Sequence, residues 1–163
     1  VKLRGSCACG AVSFELEAPE PYPYMRCYCS VCRKTAGGGG FAINLGAKFD
    51  TLRVSGEEHV AVYRAKIRNP GDSELKQSKH ERSFCHICGS HLWAWHPKWP
   101  DLVLPLASAI DTPLPTPPET AHIMLEFKAN WVMPAVGPSD HCFDRYPKES
   151  LEAWHKRLGL LDD

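Results

Sequence analysis

Three short groups of cysteines carry the chemistry this chain could do. Cys27-x-Cys29-x-x-Cys32 puts three thiols within six residues, Cys7-x-Cys9 stands near the start, and Cys85-x-x-Cys88 lies in the middle. Of the eight cysteines, only Cys142 falls outside these groups. A C-x-C or C-x-x-C spacing brings two thiols to one point, which suits a metal vertex better than two separate disulfides. Zinc takes four ligands, so seven grouped thiols make one closed four-thiolate site and leave three for a second ion. Joining Cys7 and Cys9 to Cys85 and Cys88 would pin the N-terminal strand to the middle of the chain. Gly89, next after Cys88, suits the tight turn of such a knuckle. The C-x-C-x-x-C trio is then the site with an open position.

That open position has a particular chemical character. Three thiolates donate strongly, so their zinc is a poorer Lewis acid than one held by three histidines. Its better use is to take a fourth thiolate, because a metal-bound thiol ionises near neutral pH and stays nucleophilic. A competing reading has Cys142 or a histidine closing the site, with both metals structural. His86 and His91 flank the second pair and read as surface or supporting residues rather than ligands.

Composition narrows the alternatives. Eight cysteines could also make four disulfides, but that pattern belongs to secreted chains shorter than this one of 163 residues. Five Trp and six Phe supply a core without such staples, and the opening Val1-Lys2-Leu3-Arg4 is not an apolar secretory segment. The expected compartment is reducing, namely the cytoplasm. Lys plus Arg and Asp plus Glu are both 19, so the charge footprint of a nucleic-acid binder is missing. A local basic patch is available at Lys76, Lys79, His80 and Arg82. No apolar run reaches the roughly 18–20 residues that cross a bilayer, so no membrane partner is expected.

The elements that must position these thiols are mostly strands. Val1–Arg4 reads as an edge strand, and Ala11–Leu16 alternates Val12, Phe14 and Leu16 on one side. Pro19, Pro21 and Pro23 exclude a helix and carry an extended segment to Met25. Ser30 is the expected cap of a single helical turn bearing Cys32, Arg33 and Lys34. Gly37–Gly40 follows; it lacks the spacing of a phosphate loop and reads as a turn that could leave the metal approachable. Strands are expected over 41–45, 49–54, 60–63, 75–84, 90–96, 102–106 and 122–127. A proline-rich loop spans Pro113–Pro118, and Trp131-Val132-Met133 is expected to close onto the core. From Pro147 the period changes, with Leu151, Trp154 and Leu158 on one face and Gly159 as the stop of a short helix over 147–158.

Gly5-Ser6-Cys7-Ala8-Cys9-Gly10, Cys27-Tyr28-Cys29-Ser30-Val31-Cys32-Arg33-Lys34 and Phe84-Cys85-His86-Ile87-Cys88-Gly89-Ser90 together resemble the glutathione-dependent formaldehyde-activating enzyme family. His122-Ile123 to Trp131 and Trp154-His155-Lys156 extend the likeness over most of the chain. The resemblance implies a mainly β, Mss4-like fold of packed antiparallel sheets stapled by zinc, with the short helix at the C-terminal end. It implies one domain over 1–163, with a core of about 3–130 and a C-terminal extension. It assigns Cys7, Cys9, Cys85 and Cys88 to a structural zinc, and Cys27, Cys29 and Cys32 to a second, catalytic zinc, two ions per chain. The implied activity is carbon–sulfur lyase chemistry, the reversible formation of S-hydroxymethylglutathione from glutathione and formaldehyde. The expected partners are thus a small thiol and an aldehyde. Cys142 has no place in the motif. A non-catalytic carrier or sensor of a small thiol and a purely structural zinc module are the alternatives.

Overall fold

The computed structural model describes residues 1–161. The chain begins with β1 (Lys2–Ser6), which turns at the first cysteine pair and returns as β2 (Ser13–Glu17). The expected alternation holds: Phe14 and Leu16 point inward with Leu3, while Glu15 and Glu17 face outward. The proline segment leads into β3 (Tyr24–Cys27), then α1 (Ser30–Ala36), β4 (Ala42–Asn44) and β5 (Ala47–Lys48). The strand expected over 49–54 is shorter. Phe49–Thr51 makes a 3-10 turn, and β6 (Arg53–Ser55) follows it.

The middle of the chain supplies β7 (Val60–Tyr63), β8 (Lys66–Ile67), β9 (Lys76–Gln77), β10 (Glu81–Cys85), β11 (His91–Trp95) and β12 (Leu102–Pro105). β13 (Thr120–Ile123), β14 (His141–Cys142) and α2 (Leu151–Arg157) complete it. Three sheets form the body, in the orders β1-β2-β6, β5-β12-β11-β10-β7 and β14-β13-β3-β4, beside a small β8-β9 ribbon. Most pairings are antiparallel, as expected. The exception is β13, which runs parallel to both β3 and β14.

Two apolar clusters hold the sheets together. The larger packs Leu3, Val12, Phe14, Leu16, Leu45, Leu92, Trp93 and Val103, and the Phe14 and Trp93 rings meet edge-on at 5.2 Å. The smaller contains Ala42, Leu106, Ala121 and Ile123, with Cys27 and Cys32 among them. The thiol trio is therefore rooted in a core of its own.

The C-terminal segment differs from expectation at Trp131–Met133 and at its helix, which spans Leu151–Arg157 rather than 147–158. In Trp131-Val132-Met133 only Val132 is buried; Trp131 and Met133 are 59% and 90% exposed, so one side chain closes onto the core rather than three. Ser139–Cys142 ends in the short strand β14. Its last two residues pair with β13, and Phe143 N donates to His122 O. α2 starts one residue after its Ser150 cap and buries Trp154 and His155 against the proline segment. There the Trp154 ring meets Tyr22 edge-on at 5.8 Å, and His155 Nε2 lies 2.6 Å from Tyr22 O.

Candidate functional site

The first cysteine pair sits in the turn between β1 and β2, where Cys7 N donates to Val12 O and Gly10 N to Cys7 O. The second sits at the end of β10. Gly89 has φ +77, a left-handed conformation, and its N–H donates to Cys85 O, closing the knuckle. The two turns meet, and the sulfurs of Cys7, Cys9, Cys85 and Cys88 lie within 4.8 Å of one another. Zinc–sulfur bonds of about 2.3 Å at tetrahedral angles place sulfurs about 3.8 Å apart. Cys7 and Cys9 are 3.6 Å apart and Cys9 and Cys85 3.8 Å, so four thiols here fit one ion. Neutral donors surround the group: Val12 N reaches Cys7 Sγ at 3.2 Å, and Ser90 Oγ lies 3.2 Å from Cys88 Sγ. The Ser90 hydroxyl, with the Ser90 backbone, pulls the Cys88 thiol down to about 5.

Cys27, Cys29 and Cys32 form the second cluster, also within 4.8 Å. Cys27 ends β3, Cys29 precedes α1 and Cys32 lies in its first turn. Ser30 is not the cap. Cys29 takes that place, its sulfur accepting from Cys32 N at 3.3 Å. A thiolate there satisfies an otherwise open helix N–H while aiming its remaining lone pairs at the cluster. α1 runs seven residues rather than one turn. Cys27 and Cys32 are buried and Cys29 is half-exposed, so approach is over Cys29.

Three thiols this close cannot all ionise without a cation. Hydrogen bonds from Cys27 and then Cys32 hold the Cys29 thiol far below its usual range. The same sharing, through Cys29 and then Cys32, together with burial, drives the Cys27 thiol far upward. A divalent ion would relieve that conflict by offsetting two of the three charges, so that all three can stay ionised at a net −1. Among the described residues, no other Cys, His, Asp or Glu side chain joins the trio within that 4.8 Å. Cys142 is exposed on β14, and neither His86 nor His91 belongs to either cluster.

The glycine tract is a close approach at both ends and open in the middle: a Cβ on Gly37 would stand 2.4 Å from Phe41 O. Gly40 has φ +102, and a Cβ there would stand 2.3 Å from Val132 Cγ2. A Cβ on Gly38 or Gly39 would meet nothing within 4 Å.

Two further features lay outside what spacing could find. Arg82 on β10 is buried, and its Nη1 donates to Cys32 Sγ at 3.4 Å. The basic patch expected at 76–82 is therefore divided: Arg82 points inward, Lys76 pairs with Asp72 at 2.8 Å, and His80 is half-buried. Behind Cys27 and Cys29, the ring of Tyr28 is wholly buried, and its hydroxyl lies 2.9 Å from His122 Nδ1. His122 Nε2 lies 2.8 Å from Asp140 Oδ2, and Asp140 also accepts from Gly137 N and Thr120 N. The only signal in the sequence was a tyrosine between two cysteines and an Asp-His step beside Cys142.

Comparison with known proteins bears on the same residues. The model of the family described as glutathione-dependent formaldehyde-activating enzyme matches residues 2–126, which include all seven clustered cysteines. The chain belongs to the glutathione-dependent formaldehyde-activating enzyme family. A Halomonas elongata protein named "Putative glutathione-dependent formaldehyde-activating enzyme" is 54% identical over 161 residues, 97% of each chain. A crystal structure of a Rhodobacter sphaeroides protein superposes with a TM-score of 0.53 at 27% identity. It covers 69% of this chain and 91% of its own. Among the described residues, no helix is long and apolar enough to cross a membrane.

Proposed function

We propose that this chain is a zinc-dependent carbon–sulfur lyase-type enzyme acting on a small thiol adduct, with glutathione and formaldehyde as its reactants. The observation that carries the reading is the contrast between four thiols that fit one ion and three that leave a position open. In this reading Cys7, Cys9, Cys85 and Cys88 hold a structural zinc. Cys27, Cys29 and Cys32 hold the second, in one domain spanning 1–163 and working in a reducing compartment. When bound, that zinc would supply a centre where an added thiol loses its proton near neutral pH and keeps its nucleophilicity.

The chain's own residues fix the rest. The Cys32 amide orients the Cys29 sulfur, and the buried Cys27 and Cys32 restrict access to the Cys29 side. Gly38 and Gly39 add no side chain near the tract. The net reaction joins the thiol sulfur to the aldehyde carbon, and the proton given up by the thiol ends on the aldehyde oxygen. The reverse reaction breaks the same bond. Holding the thiol in one place lowers the entropic cost of meeting a small electrophile.

NMR exchange between free glutathione and its formaldehyde adduct tests this, with the zinc-loaded chain compared with Cys29→Ser and with buffer. Faster exchange with the wild type alone is expected. Exchange no faster than in buffer would refute turnover. If thiol still strengthened a sulfur–cobalt charge-transfer band in the cobalt-loaded chain, the carrier reading would replace the enzyme.

A further inference from the structure

Arg82 is a cation enclosed by protein. It is 9% exposed and sits on β10, a central strand opposite Tyr63 and Ala94. A buried guanidinium needs an anion, since an unpaired charge out of water is strongly destabilising. The nearest carboxylate in sequence, Glu81, faces the other side of the strand and pairs with Arg64. Among the described residues the side-chain partner of Arg82 is Cys32 Sγ, fifty residues away in sequence on α1. The four-cysteine cluster has, among the described residues, no such cation and meets only neutral donors, with Cys9 and Cys88 open to solvent.

We infer that Arg82 is the built-in counter-ion of the three-cysteine centre and makes its open position selective for an anionic sulfur ligand. This rests on the proposed reading of that centre as a zinc site. Three thiolates and a divalent ion carry −1, and Arg82 brings the sum to zero. A thiolate entering the fourth position then raises the enclosed charge only to −1. Without Arg82 the same step would build −2 among buried groups, and a neutral ligand would be favoured instead. Arg82 is a positioning residue: it acts through Cys32, and neither substrate need touch it.

The test uses the full chain loaded with zinc, and with cobalt at the weaker site. Arg82→Met and Arg82→Gln both remove the charge, one apolar and one polar, so a folding defect in either leaves the other usable. Arg82→Lys keeps the charge. Three quantities are read: transfer of the weaker metal equivalent to a chelator, affinity for glutathione, and affinity for imidazole as a neutral ligand. Losing one charge-assisted bond corresponds to a change of roughly tenfold or more. The neutral variants are expected to release metal about tenfold faster and to lower the glutathione-to-imidazole affinity ratio by a similar factor. Arg82→Lys is expected to stay within about threefold of wild type on both, scaled against the same loss. Wild-type release rates in the neutral variants, or an unchanged affinity ratio, would overturn the inference, as would a lysine variant that behaves like the neutral ones. If the wild type binds no thiol at all, the selectivity inference fails together with the thiol reading. Faster metal release in the neutral variants alone would then still identify Arg82 as the counter-ion.

Discussion

Replacing Asp140 by Asn changes one atom and should cost far more than one hydrogen bond. Both carboxylate oxygens are committed: Oδ1 accepts from Thr120 N at 3.0 Å, and Oδ2 accepts from Gly137 N at 2.8 Å and faces His122 Nε2 at 2.8 Å. An amide must place its NH2 on one side or the other, donor against donor in either orientation. The side chain of Asp140 is 14% exposed and that of His122 is fully buried, so water offers little rescue. Hydrogen bonds to charged groups contribute about 1.5–3 kcal/mol each, and a buried group left unmatched costs about 1–3 kcal/mol. We expect Asp140→Asn to lose about 3 kcal/mol, or roughly 6–12 °C in Tm for a domain of this size. Tyr28→Phe, which leaves only His122 Nδ1 without its partner, should lose less, about 1–2 kcal/mol. Because both act through one imidazole, the double variant should lose less than the sum. The pH dependence has a definite sign. The hydrogen bonds from His122, Gly137 and Thr120 outweigh burial and hold the Asp140 carboxyl below its usual value. The stability this adds is complete above the unfolded value of about 3.9 and is lost as pH falls through the lower folded one. Urea titrations of the metal-loaded wild type and Asp140→Asn at pH 7, where zinc stays bound, measure the gap. Equal stability of Asp140→Asn and wild type at pH 7, or strict additivity with Tyr28→Phe, would refute this account of the clamp.

Fresh protein should contain two zinc equivalents of unequal lability, and a mild chelator followed by metal analysis should remove the trio's ion first. Structural zinc contributes on the order of 10 kcal/mol or more to folding, so Cys7→Ser or Cys88→Ser should unfold or aggregate the chain. Cys29→Ser should remain folded in a thermal melt, without the second metal. Cys142→Ala should keep both metal equivalents, because Cys142 is exposed and outside both clusters; loss of one would assign it as a ligand. Burial, then Arg82 and His96, lower the His80 pKa to about 4. Staying neutral when the unfolded chain protonates, His80 destabilises the fold as pH falls from about 6.5 towards its folded value. His80→Gln should flatten that part of the stability–pH curve; an unchanged slope would show that His80 is solvated.

The sequence alone determined the features that depend on short spacing. Cys7-x-Cys9, Cys27-x-Cys29-x-x-Cys32 and Cys85-x-x-Cys88 bring their sulfurs together in almost any fold, because one or two intervening residues cannot carry them apart. The strand pattern around Phe14 and Leu16 and the turn-and-face pattern of Leu151, Trp154 and Leu158 were legible for the same reason: side-chain direction repeats every two or 3.6 residues. Tertiary structure decided what surrounds the trio. Arg82 reaches Cys32 across 50 residues and Tyr28 reaches His122 across 94, because β10 and β13 come to lie beside the cysteine turn. The parallel register of β13 against β3 sets His122 beside Arg26 and Ile123 beside Cys27. Local periodicity gives each strand its faces but not its neighbours. Which charge is buried against the thiols is therefore fixed only once the sheets have formed.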